Sequence, residues 1–259
     1  MSHSPRKALA ERSAGARAGF RWRGGEVSRL EGFTDAVFAF AVTLLIVSLE
    51  VPRTFGELLI AMRGFFAFAI CFALLYLIWY EHYRYSRRYG LDDTTVVALN
   101  GVLLFVVLFY VYPLKFVFTM FVGSLLGYDM GVHRAGGIVE PMVRNADGPA
   151  LFLIFGAGYV AVFLVFALLY LHAYRKRHEL QLNTIETFDT RVGIVSAVAT
   201  GAVGLASVAL TLILGSRANG WNGWIYFANG PVQTALGFWA GSHRRRLEEA
   251  ARDAGPLSP

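Results

Sequence analysis

The chain has 259 residues, 56% of them hydrophobic and only 16% charged, with a mean hydropathy of +0.49 and a net charge of +6. That is too apolar for a soluble domain and fits a polytopic membrane protein. The basic residues sit beside apolar runs, so they read as an orientation signal and not as a nucleic-acid surface. The single cysteine, Cys71, excludes an internal disulfide.

Residues 1–28 carry Arg6, Lys7, Arg12, Arg17, Arg21 and Arg23 among Ala, Gly and Ser. This predicts a basic tail, disordered or loosely helical, or else a stretch lying on anionic lipid. It has no apolar core of the kind a cleavable signal peptide requires.

The first span is expected at about 32–51. The run between Asp35 and Glu50 is uncharged, and with its flanks it is long enough to cross a hydrocarbon core of about 30 Å. Pro52 ends it. At roughly 100° per residue, positions 33, 36, 40, 43, 44, 47 and 51 share one face, which carries Phe40, Thr43, Leu44 and Val47. That stripe is either an ordinary helix–helix seam or, repeated by neighbouring subunits, the wall of a pore. Thr34 and Asp35 fall away from it, so the Asp35 carboxylate is expected to point into the protein. A buried carboxylate needs partners, and Arg29, Trp79, His82 and Asn100 are the candidates. Asp35 then serves as a structural lock or touches an ion directly. Glu50, at the opposite end, either concentrates cations at a pore mouth or is a plain interfacial carboxylate.

A second span is expected at 57–81, leaving through the aromatic stretch Trp79 to Tyr85. Helices one and two are antiparallel, so His82 and Asp35 share a membrane depth and could meet. Asp92 and Asp93 read as a helix cap. The third span, at 94–117, holds Asn100 near its start, Pro113 as a kink and Lys115 near the far interface. Residues 121–148 form the longest connection, a candidate outer cap. The fourth span, 149–174, is nearly all apolar and is expected to face lipid. The fifth, 191–214, offers Ala197, Gly201 and Gly204 for close packing. The sixth, 221–241, is interrupted at Asn229-Gly230-Pro231, where a kink is favoured over a re-entrant turn. Residues 244–259 read as a second tail.

Of the 24 Lys and Arg, eighteen fall on the side of the termini. The positive-inside rule therefore puts both termini in the cytosol of a cell-membrane protein, with Asp35 and His82 in the cytosol-facing half.

The stretch Arg29-x-x-x-Phe33-Thr34-Asp35, with its Ala-Val-Phe-Ala-Phe-Ala-Val-Thr-Leu-Leu continuation, resembles the Arg-x-x-x-Phe-Ser-Asp signature of the endolysosomal potassium-leak channels, the bacterial single-repeat members in particular. Trp79, His82, Asn100 and Pro113 extend the match. The resemblance covers the first half of the chain, and beyond that only hydropathy agrees. It implies an all-α membrane protein of six transmembrane helices that assembles as a homotetramer, with helix one lining a central pore. Thr34 stands where Ser is usual and keeps the hydroxyl. Phe40 stands where the family usually has the Ile that narrows the pore, which bears on conductance and selectivity.

No phosphate loop, nucleophile elbow, intramembrane His-x-x-x-His spacing or Thr-Val-Gly-Tyr-Gly filter occurs. The expectation is a cation channel of modest potassium selectivity, gated by stacked apolar rings of Phe40, Leu44 and Val47 with Thr43 hydroxyls between them. It is not an enzyme, and it takes no cofactor, metal or nucleic acid. Its partners are potassium ions, the bilayer and copies of itself. A proton or mixed cation leak is the alternative. A non-conducting scaffold and a small-solute transporter are the alternatives of other classes.

Overall fold

The computed structural model describes residues 20–47, 52–127, 132–133, 139–218 and 220–253. Seven α-helices occur among them: α1 (Arg29–Val47), α2 (Phe55–Tyr89), α3 (Thr94–Leu126), α4 (Gly148–Arg175), α5 (Thr184–Leu214), the single turn α6 (Trp221–Trp224) and α7 (Asn229–Asp253). A two-residue antiparallel ladder, Val132–His133 with Val139–Glu140, lies in the connection between α3 and α4. The protein is an all-α, multi-span membrane protein. Among the described residues four helices, α2 to α5, are long and apolar enough to cross a membrane.

Caps explain why these helices outrun the apolar segments. The Thr54 hydroxyl accepts from the Glu57 N–H to open α2, and Gly90, at φ 59°, closes it beyond the Tyr/Arg run. Gly127, at φ 67°, closes α3 well past Val117. A capping box between Asn183 and Glu186 starts α5 at Thr184 and not at 191.

The core is centred on α4, which was expected to face lipid. Phe155, Val162, Val165, Phe166, Leu169, Tyr170 and Ala173 are all buried against α3 and α5. An apolar composition does not distinguish lipid from protein as a neighbour, and here glycine decided. A Cβ on Gly158 would meet the Tyr110 ring at 2.3 Å, and one on Gly204 would meet the Tyr159 ring at 2.6 Å. At each glycine a neighbouring tyrosine ring fills the space a Cβ would take.

The last segment, residues 220–253, is broken in the middle. Its hydrogen bonds step backwards along α5: Asn222 meets Ser207 and Thr211, Gln233 meets Ser196 and Thr200, and Arg244 pairs with Asp189 at 3.2 Å. Residues 221–253 thus run antiparallel to α5, and the 3₁₀ segment Ile225–Ala228 interrupts the helix just before Asn229-Gly230-Pro231. Proline is at home there because it opens a helix at α7. α7 continues to Asp253, so the stretch from 244 onward is helical up to that residue.

The amino-terminal stretch also departs from expectation. Residues 20–28 are not a loose tail but an ordered strap across the ends of α2 and α5. Phe20 is 1% exposed.

Candidate functional site

α1 begins with a second capping box. The Ser28 hydroxyl accepts from the Glu31 N–H, and the Glu31 carboxylate accepts from the Ser28 N–H. One side of the helix, Thr34, Phe38, Ala41 and Leu45, is fully buried against α2 and α3. The opposite side, Phe33, Ala36, Ala39, Phe40, Thr43 and Ile46, is exposed.

Side-chain hydrogen bonds fix that rotation. The Thr34 hydroxyl donates to the Leu30 carbonyl at 2.8 Å and accepts from Asn100 Nδ2 at 2.7 Å. Both residues are buried, and a hydrogen-bonded polar pair in an apolar setting holds its two helices in one register. One residue along, Trp79 Nε1 donates to Asp35 Oδ1 at 2.7 Å. The Trp79 ring stacks on Tyr83 with centroids 5.7 Å apart, which fixes the donor. His82 is buried within electrostatic reach of both Asp35 and Asn100. At the other end Lys115 Nζ donates to the Leu45 carbonyl at 2.8 Å, where cations are favoured beside a helix C-terminus.

The Asp35 expectation requires correction. Within the subunit Asp35 is exposed, at the end of a groove lined by Phe38, Ala39, Val42, Phe72, Leu75, Tyr76 and Trp79. Thr34 occupies the buried position instead. Of the four proposed partners only Trp79 bonds Asp35, and Asn100 serves Thr34. Arg29 is exposed beside Ser28, Phe33 and Asp92, and forms no ion pair with Asp35.

Four positions of the expected stripe, Phe33, Ala36, Phe40 and Thr43, lie on the exposed side. Phe40 is 56% exposed and Thr43 is exposed, with its hydroxyl donating to the Ala39 carbonyl at 2.9 Å. Leu44, by contrast, packs partly against the core. Ala39 and Ile46 share the open face and were not singled out from sequence. The missing signal was a phase: a helix apolar all round gives no hint of which side is buried. The Val47 side chain and all of Glu50 lie outside the described residues.

Asp93 anchors the start of α3. One oxygen accepts from the Thr95 and Val96 N–H groups; the other meets His172 Nε2 at 2.8 Å and Lys176 Nζ at 3.2 Å. Burial alone would raise this carboxyl, but the hydrogen bonds from His172, the Val96 amide and Lys176 outweigh it and lower the carboxyl to about 2.

Comparison with known proteins identifies the family. A model of the family described as the endosomal/lysosomal potassium channel TMEM175 matches residues 29–110, from the start of α1 through Asn100 to Tyr110. A potassium channel of Marivirga tractuosa is 38% identical over 240 residues, covering 92% of this chain and 97% of the relative. A potassium channel of Streptomyces collinus is 26% identical over 181 residues, covering 68% and 74%. The crystal structure of the potassium channel MtTMEM175, in a threonine-to-alanine variant bound to a nanobody–MBP fusion protein, superposes with a TM-score of 0.73 at 37% identity, covering 86% of this chain and 97% of that one. The chain belongs to the TMEM175 family of potassium channels and is not an enzyme.

Proposed function

We propose that this protein is a potassium-conducting cation channel in which α1 from each of four subunits surrounds a central pore. The observation that carries this is the division of α1 into two sides: one fully buried and held by Thr34–Asn100, the other an open apolar face with a hydroxyl in its middle. A single subunit cannot enclose a path with one helix face, so neighbouring copies must complete it.

In that assembly Phe40, Leu44 and Val47 stack as apolar rings, with Thr43 adding a ring of hydroxyls near the middle and Glu50 at the mouth. Apolar constrictions gate by excluding water. Such a path favours the ion that sheds its hydration shell more readily, potassium over sodium, with modest discrimination. The asymmetry of basic residues puts both termini in the cytosol. The spans are then six: α1, α2 to α5, and the broken traverse 221–253.

The bulk of Phe40 on the open face favours one second reading, a pore pinched until protons or mixed cations carry the current. Purified protein in liposomes separates the two. A reversal potential that follows the potassium gradient supports the first reading, and one that follows the proton gradient supports the second. No flux of either ion rules out both.

A further inference from the structure

The strap of residues 20–28 is built like a clasp. The buried Phe20 ring meets Tyr89 edge-on at 5.6 Å and lies under the Arg88 guanidinium at 4.8 Å. The Glu186 carboxylate, 1% exposed at the start of α5, accepts from the Arg21 N–H at 2.7 Å and from Arg23 Nη2 at 2.6 Å. Arg23 Nε also donates to the Leu180 carbonyl in the α4–α5 turn. The Arg23 and Gly24 N–H groups donate to the Arg87 carbonyl near the end of α2, and Arg87 Nη1 returns a bond to the Gly25 carbonyl. The fit is close: a Cβ on Gly24 would sit 2.8 Å from the Ser86 carbonyl oxygen.

Only three residues separate Gly24 from the Ser28 cap of α1. α1 itself packs against α2 and α3, whereas α4 and α5 form the most extensive helix pair. The strap therefore ties the foot of α1 to the most tightly packed part of the subunit. Resting on the channel reading above, we propose that this strap is an autoinhibitory clasp: by pinning the foot of the pore helix to α2 and α5, it holds the apolar constriction narrow, and its release opens the channel. An apolar gate conducts only when widened enough to wet. Widening requires α1 to move outward, and a foot bonded to α2 and α5 resists that motion.

Two substitutions test this without stranding the buried Glu186 charge. Phe20→Ala removes the plug, and Gly24→Ala pushes the strap off the Ser86 carbonyl. In proteoliposomes each is expected to raise potassium flux at least about fivefold, the lower end of typical site-to-site coupling. Amide hydrogen exchange in residues 29–34 should rise in parallel, with the elution volume of the assembly unchanged. Flux that stays level or falls while exchange rises makes the strap a plain tether and overturns the proposal. Unchanged exchange overturns it too, since the strap then does not hold the foot. A wild-type protein with no flux sinks the channel reading itself, whereas a conducting wild type with unresponsive variants sinks the clasp alone.

Discussion

Thr34 and Asn100 form a buried hydrogen bond of 2.7 Å between the first and third helices, 66 residues apart in sequence. The threonine is satisfied twice over, because it also donates to its own helix at Leu30. The bond decides which side of α1 is left open. Thr34→Val keeps the shape but strips the Asn100 amide of its acceptor. An unmet buried donor costs about 1–3 kcal/mol, so the melting temperature in detergent should fall. Thr34→Ser, which restores the hydroxyl, should melt close to wild type. Equal stability of the valine and serine variants would remove the bond's assigned role.

Trp79 holds Asp35 from the second helix through Nε1 at 2.7 Å. Phenylalanine at this position keeps most of the aromatic stacking but has no donor. Hydrogen bonds to a charged acceptor contribute about 1.5–3 kcal/mol when shielded from water; Asp35 is exposed, so the lower part of that range is expected for Trp79→Phe. Chemical denaturation of the purified protein measures it, and the loss should largely vanish in an Asp35→Ala background, which has no acceptor.

Thr43 and Phe40 make opposite demands. Thr43 is exposed and, among the described residues, its hydroxyl serves only the Ala39 carbonyl, so Thr43→Ala should leave folding within about 0.5 kcal/mol of wild type. Its effect should appear in selectivity, as a reversal potential shifted towards that of sodium under bi-ionic conditions. Phe40→Ile narrows the side chain on the same open face and should increase single-channel conductance. Leu44, which is partly packed against the core, should respond in both stability and flux when replaced by alanine. Conductance that ignores both Phe40 and Leu44 would remove this face of α1 from the conduction path.

The Asp93 carboxyl is held well below the ordinary range, at about 2, by His172, the Val96 amide and Lys176 against the effect of burial. A depressed folded-state value means that the group stabilises the fold fully above the ordinary carboxylate value of about 4. That contribution is lost as pH falls from there towards 2. Asp93→Asn keeps a capping side chain but discards the charge. The melting gap between wild type and Asp93→Asn should be steady from pH 7 to about 5 and should close only in the acid window below about pH 4. A gap that closes near neutral pH would assign the effect to another group.

Gly158→Ala tests the close approach of α4 to α3. The added methyl would meet the Tyr110 ring at 2.3 Å, a distance no small rotation relieves. Overpacking of this kind costs about 1–3 kcal/mol. Gly101, with open space around its Cβ position, is the control: Gly101→Ala should be neutral or stabilising. Denaturation midpoints for the two variants, compared in one detergent, read out the difference.

Membrane embedding, the apolar runs, the cap at Asp93 and the family motif were all legible in the sequence, because length, hydropathy and local hydrogen-bonding chemistry act over a few residues. The ends of α2, α3 and α5 were less so. Their caps lie in polar stretches, where a hydropathy window stops early while the backbone ladder continues to the next left-handed glycine. The ordered strap was hidden for a different reason. Arg23 and Glu186 are distant in sequence, and a basic, glycine-bearing segment looks like any tail until the carboxylate it bonds is brought alongside.

Sequence alone determined that this chain lives in a bilayer and that its first helix carries an unusual polar opening at Thr34 and Asp35. Tertiary structure decided which of those two residues faces inward, which side of the helix remains open, and that α4 is core. A helix surrounded by apolar residues has no preferred azimuth of its own. Its rotation is set by the partners that arrive from α2 and α3, and those partners are chosen only when the whole bundle closes.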